Sequence, residues 1–154
     1  MVDLNLKDRF LAFVKSKKVA VLSTVSSSNQ PMSATIYFVI DDDLNFYFMT
    51  KASTRKYKNL QANKEVSLVI GTDNVPITVQ VQGKAERIED HDEFARRTEQ
   101  LKNVFFENKF IAPIFQLETD EQNEVLIHKI TPSWIRWLDM TDENDHKGFI
   151  QILP

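Results

Sequence analysis

Residues 46–60, FYFMTKASTRKYKNL, decide how the rest of the chain is organised. The run FYFM is apolar and reads as a strand that stops at Thr50-Lys51-Ala52-Ser53. The spacing then predicts a short helix from about Ser53 to about Asn63. The first turn of that helix is unusual. A helix N-terminus carries partial positive charge and favours acidic residues, yet this one holds Arg55, Lys56 and then Lys58. Cations against the dipole are mildly destabilising unless an anion neutralises both, and the free N–H groups of a helix start are a ready anion site. Two hydroxyls (Thr50, Thr54) and two cations (Arg55, Lys56) at one strand-to-helix corner point to a phosphate pocket. The spacing of Lys58 turns it away, toward solvent.

On either side of this corner the apolar spacing alternates between two periods. Asn5 can cap a first helix, whose stripe is Leu6, Phe10, Phe13 and Val14. Residues 19–25 form a β-branched run. Residues 31–40 alternate cleanly, with Met32, Ala34, Ile36, Phe38 and Ile40 on one face and Ser33, Thr35, Tyr37 and Val39 on the other. Asp41-Asp42-Asp43 reads as a solvated turn, since the spacing of a calcium loop is absent. Leu44, Phe46 and Phe48 continue the alternation. After the corner helix come strands at 66–70 and 76–88, the second long enough, with Gly83 inside it, to predict a bend or bulge. Asp90 caps a helix over 91–107 with Phe94, Leu101, Val104 and Phe105 inward. Residues 114–117 are ambiguous between helix and coil. Two closing strands are expected at 125–130 and 134–138, joined across Thr131-Pro132-Ser133, then an acidic loop and a last apolar run at 149–153. The expectation is a mainly β (α+β) fold: one domain over 1–154, a small six- to seven-stranded antiparallel barrel with helices packed outside.

Composition narrows the function. With 154 residues the chain suits one domain with a substantial core. A net charge of −3 argues against a nucleic-acid-binding protein. The chain has no cysteine, which excludes disulfides, thiolate nucleophiles and Cys-ligated metals. Only Gly71, Gly83 and Gly148 are present, so neither GxGxxG nor GxxxxGK[ST] exists and side chains must do more of any phosphate binding. No segment reads as a signal peptide or membrane span, so a cytoplasmic protein is expected. His91, His128 and His146 are isolated, which predicts no metal site, and no catalytic acid–base or nucleophile pair is visible.

VAVLSTVSSSNQPMSATIYFVIDDD (19–43), NFYFMTKASTRKYKNL (45–60), NKEVSLVI (63–70) and VQVQGKAERIED (79–90) together resemble the pyridoxamine 5′-phosphate oxidase-like family of FMN-binding split barrels. The resemblance implies that Thr50 and the Thr54-Arg55-Lys56 triplet hold the FMN phosphate. It implies that Ala34, Thr35, Ile36 and Tyr37 line the flavin ring, with Met49 at the ring-side end of the next strand. Thr78 stands where the family has a flavin-contacting Gln, and Gln80 faces the same way two residues on. The implied assembly is a homodimer with FMN between subunits, acting on a small-molecule substrate or electron donor, with no nucleic acid and no membrane. Ala34 and Val39 stand where the true oxidase has Arg and Lys, and Ser133-Trp134-Ile135-Arg136-Trp137 replaces its arginine-bearing motif. The resemblance therefore implies a flavin-dependent oxidoreductase of unassigned substrate rather than a pyridoxamine phosphate oxidase. The alternatives are a non-catalytic flavin- or haem-binding protein and a deazaflavin (F420)-dependent reductase. Tyr37 suits either an interface aromatic or a cleft wall. Trp134 and Trp137 face opposite ways on a strand, and Trp137 is the choice to cover the flavin.

Overall fold

A computed structural model gives the fold over residues 4–71, 76–107, 124–141 and 149–154. Its elements in order are α1 (Leu4–Ser16), β1 (Val19–Val25), β2 (Pro31–Tyr37), β3 (Val39–Ile40), β4 (Phe46–Lys51) and α2 (Arg55–Ala62), then β5 (Glu65–Ile70), β6 (Ile77–Arg87), α3 (His91–Glu107), β7 (Val125–Asp139) and β8 (Phe149–Leu153). Residues 114–117, the acidic stretch at 142–148, the turn tip at 72–74 and the Phe105 side chain lie outside the described set. Helix α1 starts at Leu4, so Asn5 lies inside its first turn rather than capping it. Its stripe is as expected, with Phe10 and Val14 fully buried and Leu11 beside them.

All strand pairings are antiparallel, in the order β2-β1-β5-β6-β7-β4-β3, with β8 added on β7. The two ends of this path, β2 and β3, are consecutive in the chain and separated only by Phe38. The sheet therefore curls until its ends meet, and the single strand expected over 31–40 steps at Phe38 from one pairing to the other. The fold is a split barrel.

The two closing strands expected near the C-terminus are one strand, β7. A proline inside a strand removes a ladder donor and is tolerated at a bulge. Pro132 lies opposite Gly83, where the β6–β7 register shifts. A Cβ on Gly83 would fall 2.5 Å from the Thr131 carbonyl oxygen and 2.9 Å from Pro132 Cα. The bulge expected at Gly83 and the chain break expected at Pro132 are thus one irregularity shared by two neighbouring strands.

β4 is buried on both faces. Phe46 and Phe48 point into the barrel with Leu22, Leu68, Val81 and Ile130. Tyr47 and Met49 point outward into a second cluster with Ile88, Leu101 and Ile127, covered by α3. Simple alternation predicts only the first set. At the barrel end closed by α2, Leu60 enters the core and Asn59 donates to Thr24 Oγ1, a fully buried hydroxyl, at 3.0 Å.

His128 occupies an inward position at that same end, stacked on Phe48 at 5.4 Å with the Tyr57 ring edge-on at 6.1 Å. Burial, and secondarily the Arg87 charge, lowers its pKa from 6.5 to about 4. A base whose folded pKa is depressed favours folding while neutral. That contribution is whole above pH 6.5 and is lost as pH falls toward 4, by about 3 kcal/mol at most. Between pH 7 and pH 4.5 the urea midpoint of the wild type should therefore fall further than that of His128→Phe, which keeps the stack. Parallel falls in the two proteins would refute this.

Candidate functional site

The corner between β4 and α2 is built by its two threonines. Thr54 is the N-cap of α2, with extended backbone (φ −81°, ψ 152°), and its Oγ1 accepts from the Tyr57 N–H at 3.3 Å. The same hydroxyl donates to the Lys51 carbonyl at 2.9 Å and lies 2.8 Å from Thr50 Oγ1. With one proton on Thr54 committed to Lys51, Thr50 is the donor in the threonine pair. Thr50 is 2% exposed. Both hydroxyls therefore shape the corner and are engaged within it. What remains outward is the cationic first turn and the leading N–H groups of α2.

Lys56 sets this turn apart. Its side chain is half-buried, and desolvation alone lowers its pKa. Among the described residues no carboxylate pairs with Lys56, Arg55, Lys51 or Lys58. Several other cations are matched: Lys15 with Asp42, Lys64 with Glu86, Lys84 with Glu65, and Arg87 with Glu89 and Glu124. A desolvated, unmatched ammonium at a helix N-terminus is complementary to an anion.

The strands supply a cleft beside this corner. β3 pairs with β4 at Val39↔Tyr47 and Ile40↔Phe46. Extending that register would set Tyr37 against Met49 and Thr35 against Lys51, but beyond Phe38 the chain pairs with β1 instead. β2 and β4 part there, and among the described residues no strand pairs with the outer edge of β2. Ala34, Thr35, Ile36 and Tyr37 form one wall of the split, Met49 and Thr50 the other, and Arg55 and Lys56 stand at its mouth. With Thr54, nine residues singled out from the sequence thus lie along the two strand edges of the split and the corner that adjoins it. The model of the family described as pyridoxamine 5′-phosphate oxidase matches residues 6–138.

The chain belongs to the pyridoxamine 5′-phosphate oxidase family. Solved structures with this fold include General Stress Protein 26 of Bacillus anthracis, with TM-score 0.66 and 22% identity over 97% of this chain and 100% of that one. The haem storage protein HutZ of Vibrio cholerae has TM-score 0.65 and 17% identity over 81% and 88%. A haem-binding protein of Mycobacterium smegmatis has TM-score 0.73 and 14% identity; it covers 99% of this chain, which spans 60% of that longer one. At such identities the likeness speaks for the fold alone. No curated protein sequence matches the chain.

Within this family member the cleft is lined less by side chains than by backbone. Ile36 is 4% exposed and belongs to the barrel core, while Met49 is buried beneath α3. Tyr37 packs against the second cluster at the edge of the split. Thr78 and Gln80 do not join the group: they lie outward on β6, where Gln80 pairs with Arg136 of β7. Thr50 pairs with Leu126 of that same strand. Ten residues of extended β7 separate the two positions, about 33 Å. Trp137 lies away from the split. It is 3% exposed, faces the barrel core and packs against Phe10 and Phe13 of α1. Trp134 is the half-buried member of the pair.

One supporting network was not expected from the sequence. Asp41, read as part of a solvated turn, is 18% exposed at its side chain. It accepts from the Asn45 N–H at 2.8 Å and from the Tyr47 hydroxyl at 2.7 Å. Arg97 of α3 donates to that hydroxyl at 3.0 Å, and its guanidinium lies 3.8 Å from the Tyr47 ring centroid. The available signal was Arg97 falling between Phe94 and Leu101 on the inward stripe of α3. This ion-pair cluster pins α3 and the start of β4, one wall of the cleft, to each other. Among the described residues no group of His, Asp and Glu side chains has the geometry of a metal site, and no helix is long and apolar enough to cross a membrane.

Proposed function

We propose that the protein is an FMN-binding oxidoreductase, with the FMN phosphate at the β4–α2 corner and the ring in the split between β2 and β4. The observation that carries this reading is Lys56: half-buried, without a carboxylate partner among the described residues, beside Arg55 and the open N–H groups of α2. Thr50 and Thr54 hold the corner in shape, and N–H groups on the split-facing edge of β2 supply donors to a ring. Bound FMN supplies hydride or electron transfer, which accounts for a site without its own acid–base pair. The exposed outer sheet face, with Val19 43% and Val69 36% exposed, suits packing against a second copy. In such a homodimer Thr78 and Gln80 would meet the cofactor of the other subunit. Ser133-Trp134-Ile135-Arg136-Trp137, in place of the arginine-bearing motif of the true oxidase, disfavours pyridoxamine phosphate as substrate.

A second reading is haem binding without turnover, supported by the V. cholerae and M. smegmatis proteins that share the fold. The visible spectrum of the purified protein distinguishes the two, flavin bands against a Soret band. A double variant Arg55→Ala/Lys56→Ala tests the assignment residue by residue. Each charge-assisted phosphate contact is worth about 1.5–3 kcal/mol, so FMN should bind about a hundredfold or more weaker while circular dichroism and the urea midpoint stay near wild type. Equal flavin content in the two proteins would overturn the proposal.

A further inference from the structure

A cavity of about 500 Å³ lies between α2 and the adjoining ends of β6 and β7, lined by Tyr57, Leu60, Gln61, Ala85, Arg87 and His128 among others. Tyr57, Leu60 and Gln61 fall at i, i+3 and i+4, one face of α2, and Lys64 follows just beyond its C-cap Asn63. This place is separate from the cleft. His128 pairs across the ladder with Phe48, an inward residue of β4, whereas the split opens on the far side of that strand.

The cavity's polar groups divide into two sets. Those at the rim are charged and already matched, Lys64 with Glu86 at 3.0 Å and Arg87 with Glu124 at 3.2 Å and Glu89 at 3.7 Å. An ionic ligand would have to break one of these pairs. The other set is neutral and under-used, with His128 buried, Tyr57 half-buried and Gln61 exposed. His128 is 3% exposed, its Nδ1 is buried without a hydrogen-bond partner, and no hydrogen bond engages its ring among the described residues. The Tyr57 oxygen accepts from Gln61 Nε2 at 3.1 Å, leaving the phenolic proton and the Gln61 carbonyl uncommitted among the described residues. The walls between them are two aromatic rings, Leu60 and Ala85. A flat, uncharged ring carrying both donors and acceptors on its edge matches this lining, and the volume is in the range of small-molecule sites. We propose that the cavity is a second binding site, for a neutral planar nitrogen heterocycle of the purine or pyrimidine type, engaged by His128, Tyr57 and Gln61.

The probe is free 2-aminopurine, a neutral fluorescent purine, titrated into the full chain. Expected are saturable quenching, as the base stacks beside Tyr57, and a concentration-dependent shift of the His128 ring signals in NMR, assigned with His91→Gln and His146→Gln. Benzoate, which is flat but charged, should not compete. His128→Phe keeps the stack on Phe48 but offers no nitrogen, and should weaken binding about tenfold. Arg55→Ala/Lys56→Ala should bind the probe as wild type does, so that this site stands or falls independently of the phosphate corner. Absence of saturable quenching, unmoved His128 signals, or equal affinity in His128→Phe would each overturn the proposal. Should His128→Phe fail to fold, the His128 signals of the wild type decide.

Discussion

Trp137→Ala is expected to lower the free energy of unfolding by about 3–5 kcal/mol, the range for removing a large buried aromatic. The indole is 3% exposed and lies opposite Val79 of β6, inside the barrel. Phe10 meets it edge-on with centroids 5.9 Å apart, Phe13 stacks at 6.2 Å, and the Arg9 guanidinium lies 5.7 Å from its ring. It is therefore the post against which α1 closes its end of the barrel, and its loss leaves a void that backbone elements cannot fill by side-chain motion alone. Its Nε1 has no partner among the described residues, so Trp137→Phe, which removes that unsatisfied donor and keeps much of the volume, should cost far less. Urea denaturation of the two variants measures the contrast. Flavin content per folded molecule should be the same in both, and a loss of flavin at unchanged stability would return Trp137 to the ligand's surroundings.

Arg97→Met should cost about 3 kcal/mol, for a different reason. Methionine keeps the length and apolar contact of the side chain, so the change isolates the charge. Removing one member of a largely buried ion pair leaves the other without compensation. Here the stranded group is Asp41, 3.6 Å from the Arg97 guanidinium nitrogen. Burial pushes the Asp41 pKa up, but hydrogen bonds from Tyr47 and Asn45 and the Arg97 charge together hold it below the usual carboxylate value. A depressed carboxylate pKa means stability that is present at neutral pH and lost as pH falls through the folded pKa. The variant should therefore show a smaller acid-induced loss than the wild type. Because α3 and the start of β4 are pinned by this cluster, protection of the Tyr47 and Met49 amides from hydrogen exchange should drop as well. Wild-type stability in Arg97→Met would show that the cluster is only an exposed surface pair.

The corner was legible because its chemistry is local. An N-cap threonine, a cationic first turn and the strand before it lie within a dozen residues, and each follows a rule of short range. The split barrel was legible through residues 19–90, where alternation and turns fall in sequence order. What could not be read is what distant segments do to one another. Pro132 breaks a strand by any local rule, and only the absence of a side chain on Gly83 lets β7 run through it. Alternation separates Trp134 from Trp137 but does not say which side is the interior. Asp41 sits in a run of three acids and reads as solvated, since the arginine that matches it arrives from a helix more than fifty residues away. Thr78 and Gln80 face outward as their spacing indicates, yet their distance from the corner along β7 is a property of the register alone.

The closure of the sheet at Phe38 also bears on how the chain acquires its shape. β4 has a local partner in β3, but its other edge is completed by β7, in which Ile130 pairs with Phe46. β6 likewise waits for β7 on one side. Most of the ladder can zip from nearby segments, whereas the last seam requires the ends of a long intervening stretch to find each other before any contact rewards them. Until β7 docks, two strand edges and the aromatic faces of β4 stand open, so the strand that completes the barrel is also the one that conceals its stickiest surfaces.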